Sequence, residues 1–288
     1  MIRRTLSHPT PCRLGLSVLL LLLLLVVGCT TTDGTKPSTG QQITTPPSTP
    51  QVPESSPAAL LSLKKAQDLF NEAVKSDQPT AVNVPAASRQ KYQQVVDTVE
   101  KEVLGRADAS VNVSAYALLA FSQWRLDNFG KAMEAGEKGR RLFETAKLAT
   151  NRRDYGMCLM VGGLCAASQT YKEYLSLQAS PTQEVAQNLT GRLEQAMRTI
   201  DSGNTYLERR EDVALYANLW QLALVDSAMR IWTSGLPREV SQPEVCRWLG
   251  RAEPVLAKFP DTAYQWQSLT LTYKNKFEKK KQAECQGR

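Results

Sequence analysis

The stretch Tyr116-Ala117-Leu118-Leu119-Ala120-Phe121-Ser122-Gln123-Trp124-Arg125-Leu126-Asp127-Asn128-Phe129-Gly130-Lys131-Ala132 decides the fold. Its apolar side chains recur at three- and four-residue steps, the period of a helix packed on one face. Asp127-Asn128 breaks the run with a short turn, since both residue types accept the backbone angles that end a helix. Beyond the turn, Phe129, Ala132, Gly136 and Gly139 resume the helical step. Small residues at Ala120, Ala132 and Gly139 let two helices approach, while Tyr116, Leu119 and Phe129 fill the space beside them. The segment reads as an antiparallel helix hairpin.

The same logic extends in both directions. Leu60, Leu63, Ala66, Phe70, Ala73 and Val74 form one helical stripe, and Tyr92, Val95, Val96, Val99 and Val103 form another. Asn151 to Gly203 reads as two long helices, with Gly162-Gly163 allowing close helix packing. No convincing strand-like alternation interrupts the pattern. Breakers at Pro79 and Pro85, Gly105–Asp108, Asp127-Asn128, Ala179–Thr182, Ser202-Gly203-Asn204, Ser234–Pro237 and Lys258–Asp261 cut the chain. They predict about ten helices of roughly 14 to 25 residues, the last over 263–281. The fold class is therefore all-α, with antiparallel hairpins stacked on their neighbours.

Two places resemble tetratricopeptide (TPR) repeats, whose pattern runs W-x2-L-G-x2-Y, then A-x3-F, then a proline. The cleaner is Trp266-x2-Leu269-Thr270-x2-Tyr273 after Pro260-Asp261-Thr262. The second begins at Tyr116-x2-Leu119-Ala120 and continues to Gly139, departing from the pattern at Gln123, Gly136 and Glu144. Ala66-x3-Phe70-x2-Ala73 resembles the second helix of a repeat. The spacing is not a multiple of about 34 residues, so the resemblance implies an irregular TPR-like α-solenoid. In that frame Ser114, Ala117, Phe121, Trp124 and Arg125 fall on the concave side, where the family binds peptides, although Phe121 reads first as core packing. An exposed aromatic beside an arginine is also hot-spot composition. Trp220, Trp232 and Trp248 read as core.

The N-terminus carries a second resemblance. Arg3, Arg4 and Arg13 precede an unbroken apolar run from Val18 to Val27, followed by Gly28 and Cys29. A basic start, an apolar centre and a small residue at the cut describe a signal peptide over 1–28. Leu25-Val26-Val27-Gly28-Cys29 resembles the lipobox of bacterial lipoproteins, which implies lipidation of Cys29. By the same resemblance Thr30 in place of Asp implies the outer membrane, with the protein facing the periplasm. Residues 29–57 hold eight threonines and six prolines with Ile43 and Val52 as their only aliphatics. Such a stretch cannot offset its ordering entropy by burial and reads as a tether of about 30 Å or more. The working domain is expected over 58–288.

Charge and composition narrow the chemistry. Of 35 basic residues three lie in the signal, leaving 32 against 28 acidic. The last fifteen residues carry Lys274, Lys276, Lys279, Lys280, Lys281 and Arg288 against Glu278 and Glu284. The body is thus balanced, which argues against a nucleic-acid partner. His8, the single histidine, lies in the signal, so no His-dependent catalysis or His-ligated metal is expected downstream. Cys158 and Cys165 lie about 10 Å apart along one helix, too far to bridge, and read as buried apolar residues. Cys246 with Cys285 is the expected disulfide. Glu208-Arg209-Arg210-Glu211-Asp212 is the densest charged stretch, but acids in a helix's first turn stabilise rather than catalyse. No cofactor, no metal and no enzymatic activity are expected.

The layout is similar to that of TPR lipoproteins of outer-membrane barrel assembly and of type IV pilotins. It implies a scaffold or adaptor that holds an envelope protein. A cell-wall or small-ligand binding lipoprotein with a cavity between helices is the alternative, and a carboxylate-dependent envelope hydrolase a third.

Overall fold

The computed structural model describes residues 54–80 and 83–285. Residues 1–53, where the signal peptide, Cys29 and most of the tether are expected, lie outside the described residues. The described residues are all-helical: nine α-helices and one π-helical segment, with no strand among them.

Local chemistry sets the helix ends. α1 (Pro57–Ser76) starts where the Ser56 hydroxyl accepts from Ala59 N at 3.2 Å, with Pro57 in the first turn. α2 (Ala86–Thr98) follows the Pro79–Pro85 loop and runs into a π-helical segment, Val99–Val103. α3 (Ala109–Arg125) is capped by Asp108, which accepts from Val111 N at 2.9 Å. α4 (Phe129–Thr145) and α5 (Arg152–Leu175) follow turns in which Asp127 (φ 67°), Lys147 (φ 50°) and Asn151 (φ 62°) take the left-handed conformation. Thr182 caps α6 (Gln183–Asn204). α7 (Asp212–Thr233), α8 (Arg238–Leu256) and α9 (Gln267–Cys285) complete the chain.

Two boundaries differ from the sequence reading, while Ser202-Gly203-Asn204 ends α6 as read, within its last turn. Gly203 is there because α5 crosses so closely that an added Cβ would strike Met160 N at 2.7 Å and the Gly156 carbonyl. The last helix starts at Gln267 and runs to Cys285, later at both ends than expected. Ser55 and Ser56, assigned to the tether, are bonded into the fold: Asp108 N donates to Ser55 Oγ at 2.9 Å and Ser56 N to the Arg106 carbonyl at 3.3 Å.

Each helix packs on its successor, and α1, α3, α5 and α7 also pack on one another in that order. α1 and α7, the ends of that row, touch each other as well. Gln265, just before α9, donates to the Lys75 carbonyl at the end of α1. The core is one cluster running through these helices. Cys246 and Cys285 form a disulfide with Cα atoms 5.8 Å apart, fastening the end of α9 to α8. Cys158 and Cys165 are buried and free, and burial raises both thiols, Cys165 to about 12. None of the described helices is long and apolar enough to cross a membrane.

Candidate functional site: a paired charge and an aromatic cavity

The chemistry begins at Asp77, one residue past α1, whose side chain has no solvent exposure. A bare buried carboxylate costs several kcal/mol, so it must be paired and bonded. Arg125, at the end of α3, donates from Nε at 2.7 Å and Nη2 at 2.8 Å, a two-point grip. Tyr92 of α2 and Tyr216 of α7 donate their hydroxyls at 3.0 and 2.7 Å, and Gln78 N adds a bond at 2.7 Å. Burial raises the pKa of both phenols, with the Asp77 charge adding to it. Burial alone would lower the Arg125 pKa; Tyr216 and the bonds to Asp77 outweigh it and hold it above its ordinary value.

Aromatic rings enclose this pair. Phe121 lies edge-to-face with Phe70 at 5.3 Å, Trp124 at 5.0 Å and Tyr216 at 5.5 Å, and Trp266 meets Tyr216 at 5.7 Å. The Arg125 guanidinium stands 5.3 Å from the Trp124 ring and 5.6 Å from Tyr216.

Beside the cluster a cavity of about 120 Å³ opens between α3, α5, α7 and α9. Trp124, Arg125, Trp220 and Ser168 lie deep in it, with Trp124 Nε1 donating to Ser168 Oγ at 2.9 Å. Tyr171 and Tyr273 stand on its sides, and burial raises the Tyr273 pKa. Its mouth carries two ion pairs: Lys172 with Asp127 at 2.8 Å, and Arg230 with Asp226 at 2.9 Å. Lys276 of α9 also reaches Asp226, at 2.5 Å. A wider depression of about 570 Å³ lies between the α6–α7 loop and the end of α8. Its charged groups are engaged, since Arg209 donates to the Ala257 and Lys258 carbonyls at 2.8 and 2.7 Å and Lys258 pairs with Asp201. Among the described residues no three His, Cys, Asp or Glu gather as a metal site.

The residues expected on a concave binding face are placed differently. Trp124 is 2 % exposed, Arg125 4 % and Phe121 0 %, so the exposed aromatic–arginine pair expected at Trp124 and Arg125 is instead interior. The reason is Asp77, which draws Arg125 inward, and the rings of α1 and α7, which cover Trp124 and Phe121. Ser114 lies near the other end of α3, donating to Asp154 at 2.5 Å and accepting from Asn151 at 2.9 Å. The structure thus brings Phe121, Trp124 and Arg125 together and leaves Ser114 apart. Trp220, Trp232 and Trp248 are buried, as read from the sequence. Asp77, Tyr216 and Asp226 were missed. Asp226 left a trace, the one carboxylate inside the largely apolar run Val213–Trp232; Asp77 sits in a turn and left none.

No protein-family model, no curated protein and no solved structure matches the chain.

Proposed function

We propose that the chain is a lipid-anchored, periplasm-facing protein of the outer membrane whose TPR-like helix hairpins act as a scaffold or adaptor for another envelope protein. The observation that carries this reading is the row α1, α3, α5, α7, each packed on the next with α2, α4, α6 and α8 as partners in hairpins. That layering suits an irregular TPR-like stack. The lipobox ending at Cys29 and the threonine- and proline-rich stretch after it support a tethered position. The role is binding rather than catalysis: both carboxylates at the cavity mouth are held by cations.

Because the rings around Asp77 fill the inner side of the row, a protein partner is assigned to the outer surface. Leu61 on α1 (71 % exposed), Leu177 after α5 and Leu271 on α9 stand exposed there. A photo-crosslinking residue at each position in turn, in cells, should capture one envelope protein from at least one of them. Capture of none, with specific binding of cell-wall fragments, would replace this reading by the second. A Cys29→Ala chain should lose membrane retention; normal attachment would remove the anchor.

The second reading is a lipoprotein that binds a small ligand or a cell-wall fragment. It is favoured by the aromatic cavity between α3, α5 and α7.

A further inference from the structure

We infer that this cavity is a saccharide site that takes one neutral sugar ring, with the rest of the saccharide outside the mouth. The inference rests on the ligand-binding reading and is independent of the adaptor reading.

Three observations choose the ligand class. The walls are aromatic, with Trp124 and Trp220 deep and Tyr273 at the side. Flat rings of this kind offer a large apolar face that suits the C–H face of a pyranose.

The second observation is how the charges are arranged. Every charged group at the cavity already has an opposite partner: Lys172 with Asp127, Arg230 and Lys276 with Asp226, Arg125 with Asp77. A free anion would compete with a carboxylate for each cation, and a free cation with a basic side chain for each carboxylate. Vicinal hydroxyls avoid that conflict. Each hydroxyl both donates and accepts, so neighbouring hydroxyls can bond the carboxylate and the cation of one pair without separating them.

The third is size. About 120 Å³ is some four times the roughly 30 Å³ that one water occupies in the liquid, less than a whole hexose displaces, so it admits one edge of a single ring lodged at the mouth and not a whole chain. The side chains of Lys172 (44 % exposed) and Arg230 (58 % exposed) flank an opening to solvent through which a glycan can continue.

The test is titration of the full chain, in detergent, with N-acetylglucosamine and with glucose, followed by tryptophan fluorescence and calorimetry. Propionate, choline and glycine serve as anionic, cationic and zwitterionic probes. We expect saturable binding of a sugar whose affinity barely changes between about 0.05 and about 0.5 M salt, since no net charge is engaged. Tighter N-acetylglucosamine than glucose would assign the site to cell-wall glycan, and the reverse to a free hexose. Arg230→Gln, at an exposed position, should weaken the sugar about tenfold with the helical spectrum intact. Trp220→Phe should do the same; if it fails to fold, Arg230→Gln decides. The inference is overturned if neither sugar saturates, if propionate, choline or glycine binds more tightly, or if Arg230→Gln leaves sugar affinity unchanged. Sugar binding displaces the adaptor reading only if the crosslinking also captures no protein.

Discussion

The interior around Asp77 is filled with rings and a paired charge, whereas where α5 and α6 cross at Gly156, Gly163 and Gly203 backbone lies against backbone. Around Asp77, α2, α3 and α7 are held at ring distance and joined by four side-chain hydrogen bonds to the carboxylate that follows α1. Along the α5–α6 seam glycines bring backbones together: a Cβ on Gly163 would lie 2.6 Å from the Ala196 carbonyl, and Gly156 meets Gly203 in the same way. The difference teaches where each region fails. The first depends on polar groups that become costly when orphaned. The second depends on the absence of volume, so it fails when atoms are added.

The strongest way to break the comparison is Asp77→Ala, which strands the Arg125 cation inside the protein. Stability measured by urea unfolding should fall by about 3–5 kcal/mol. Replacing both partners, Asp77→Leu with Arg125→Met, should recover much of that loss. A single variant losing under about 1 kcal/mol would show that the aromatic packing alone holds this region.

Next in size, Gly163→Ala should cost about 1–3 kcal/mol, because a methyl must push two backbones apart. A neutral result in the same urea series would mean that the α5–α6 seam has slack.

The third contrast is pH. Tyr92 and Tyr216 have pKa values raised above the unfolded value of 10.0, first by burial. Their contribution is therefore complete below about pH 10 and is lost as pH rises toward the folded pKa, at up to about 1.4 kcal/mol per pH unit for each phenol. Urea midpoints should stay level from this source at neutral pH and fall above pH 10. Tyr216→Phe should flatten that fall, and an unchanged slope would detach the phenol from the network.

The smallest effect sharpens the seam itself. Gly162 neighbours Gly163, but its nearest atom to an added Cβ is Thr199 Cγ2 at 4.0 Å. Gly162→Ala should stabilise by about 0.5–1 kcal/mol through helix propensity, seen as a raised Tm. Destabilisation there would extend the close crossing to both glycines.

These two regions also mark what the sequence could tell. Period and punctuation located most of the helices, because Asp127-Asn128, Gly105 and Ser234–Pro237 act through their own backbone. Gly203 marked the end of α6, but its second role, admitting the α5 backbone, has no signature in one dimension. At the site, the helical frame placed Phe121, Trp124 and Arg125 on one inward side of α3. It said nothing of Asp77 or of the rings on α1 and α7, so it left that side open. Burial of Arg125 is decided by a partner 48 residues earlier in the chain, and Tyr216 reaches Asp77 across 139 residues. Such pairings have no local pattern.

That separation has a consequence in time. Ribosomes add about 5–20 residues per second, so Asp77 emerges some 7–30 s before Tyr216 can reach it. Through that interval the carboxylate has only Tyr92 and Arg125 to choose from, and the last partners arrive with α7 and the segment leading to α9. Among the described helices the first to be made is thus among the last to be sealed, and wherever the chain folds its acid–base pair stays wet until the far end has been delivered.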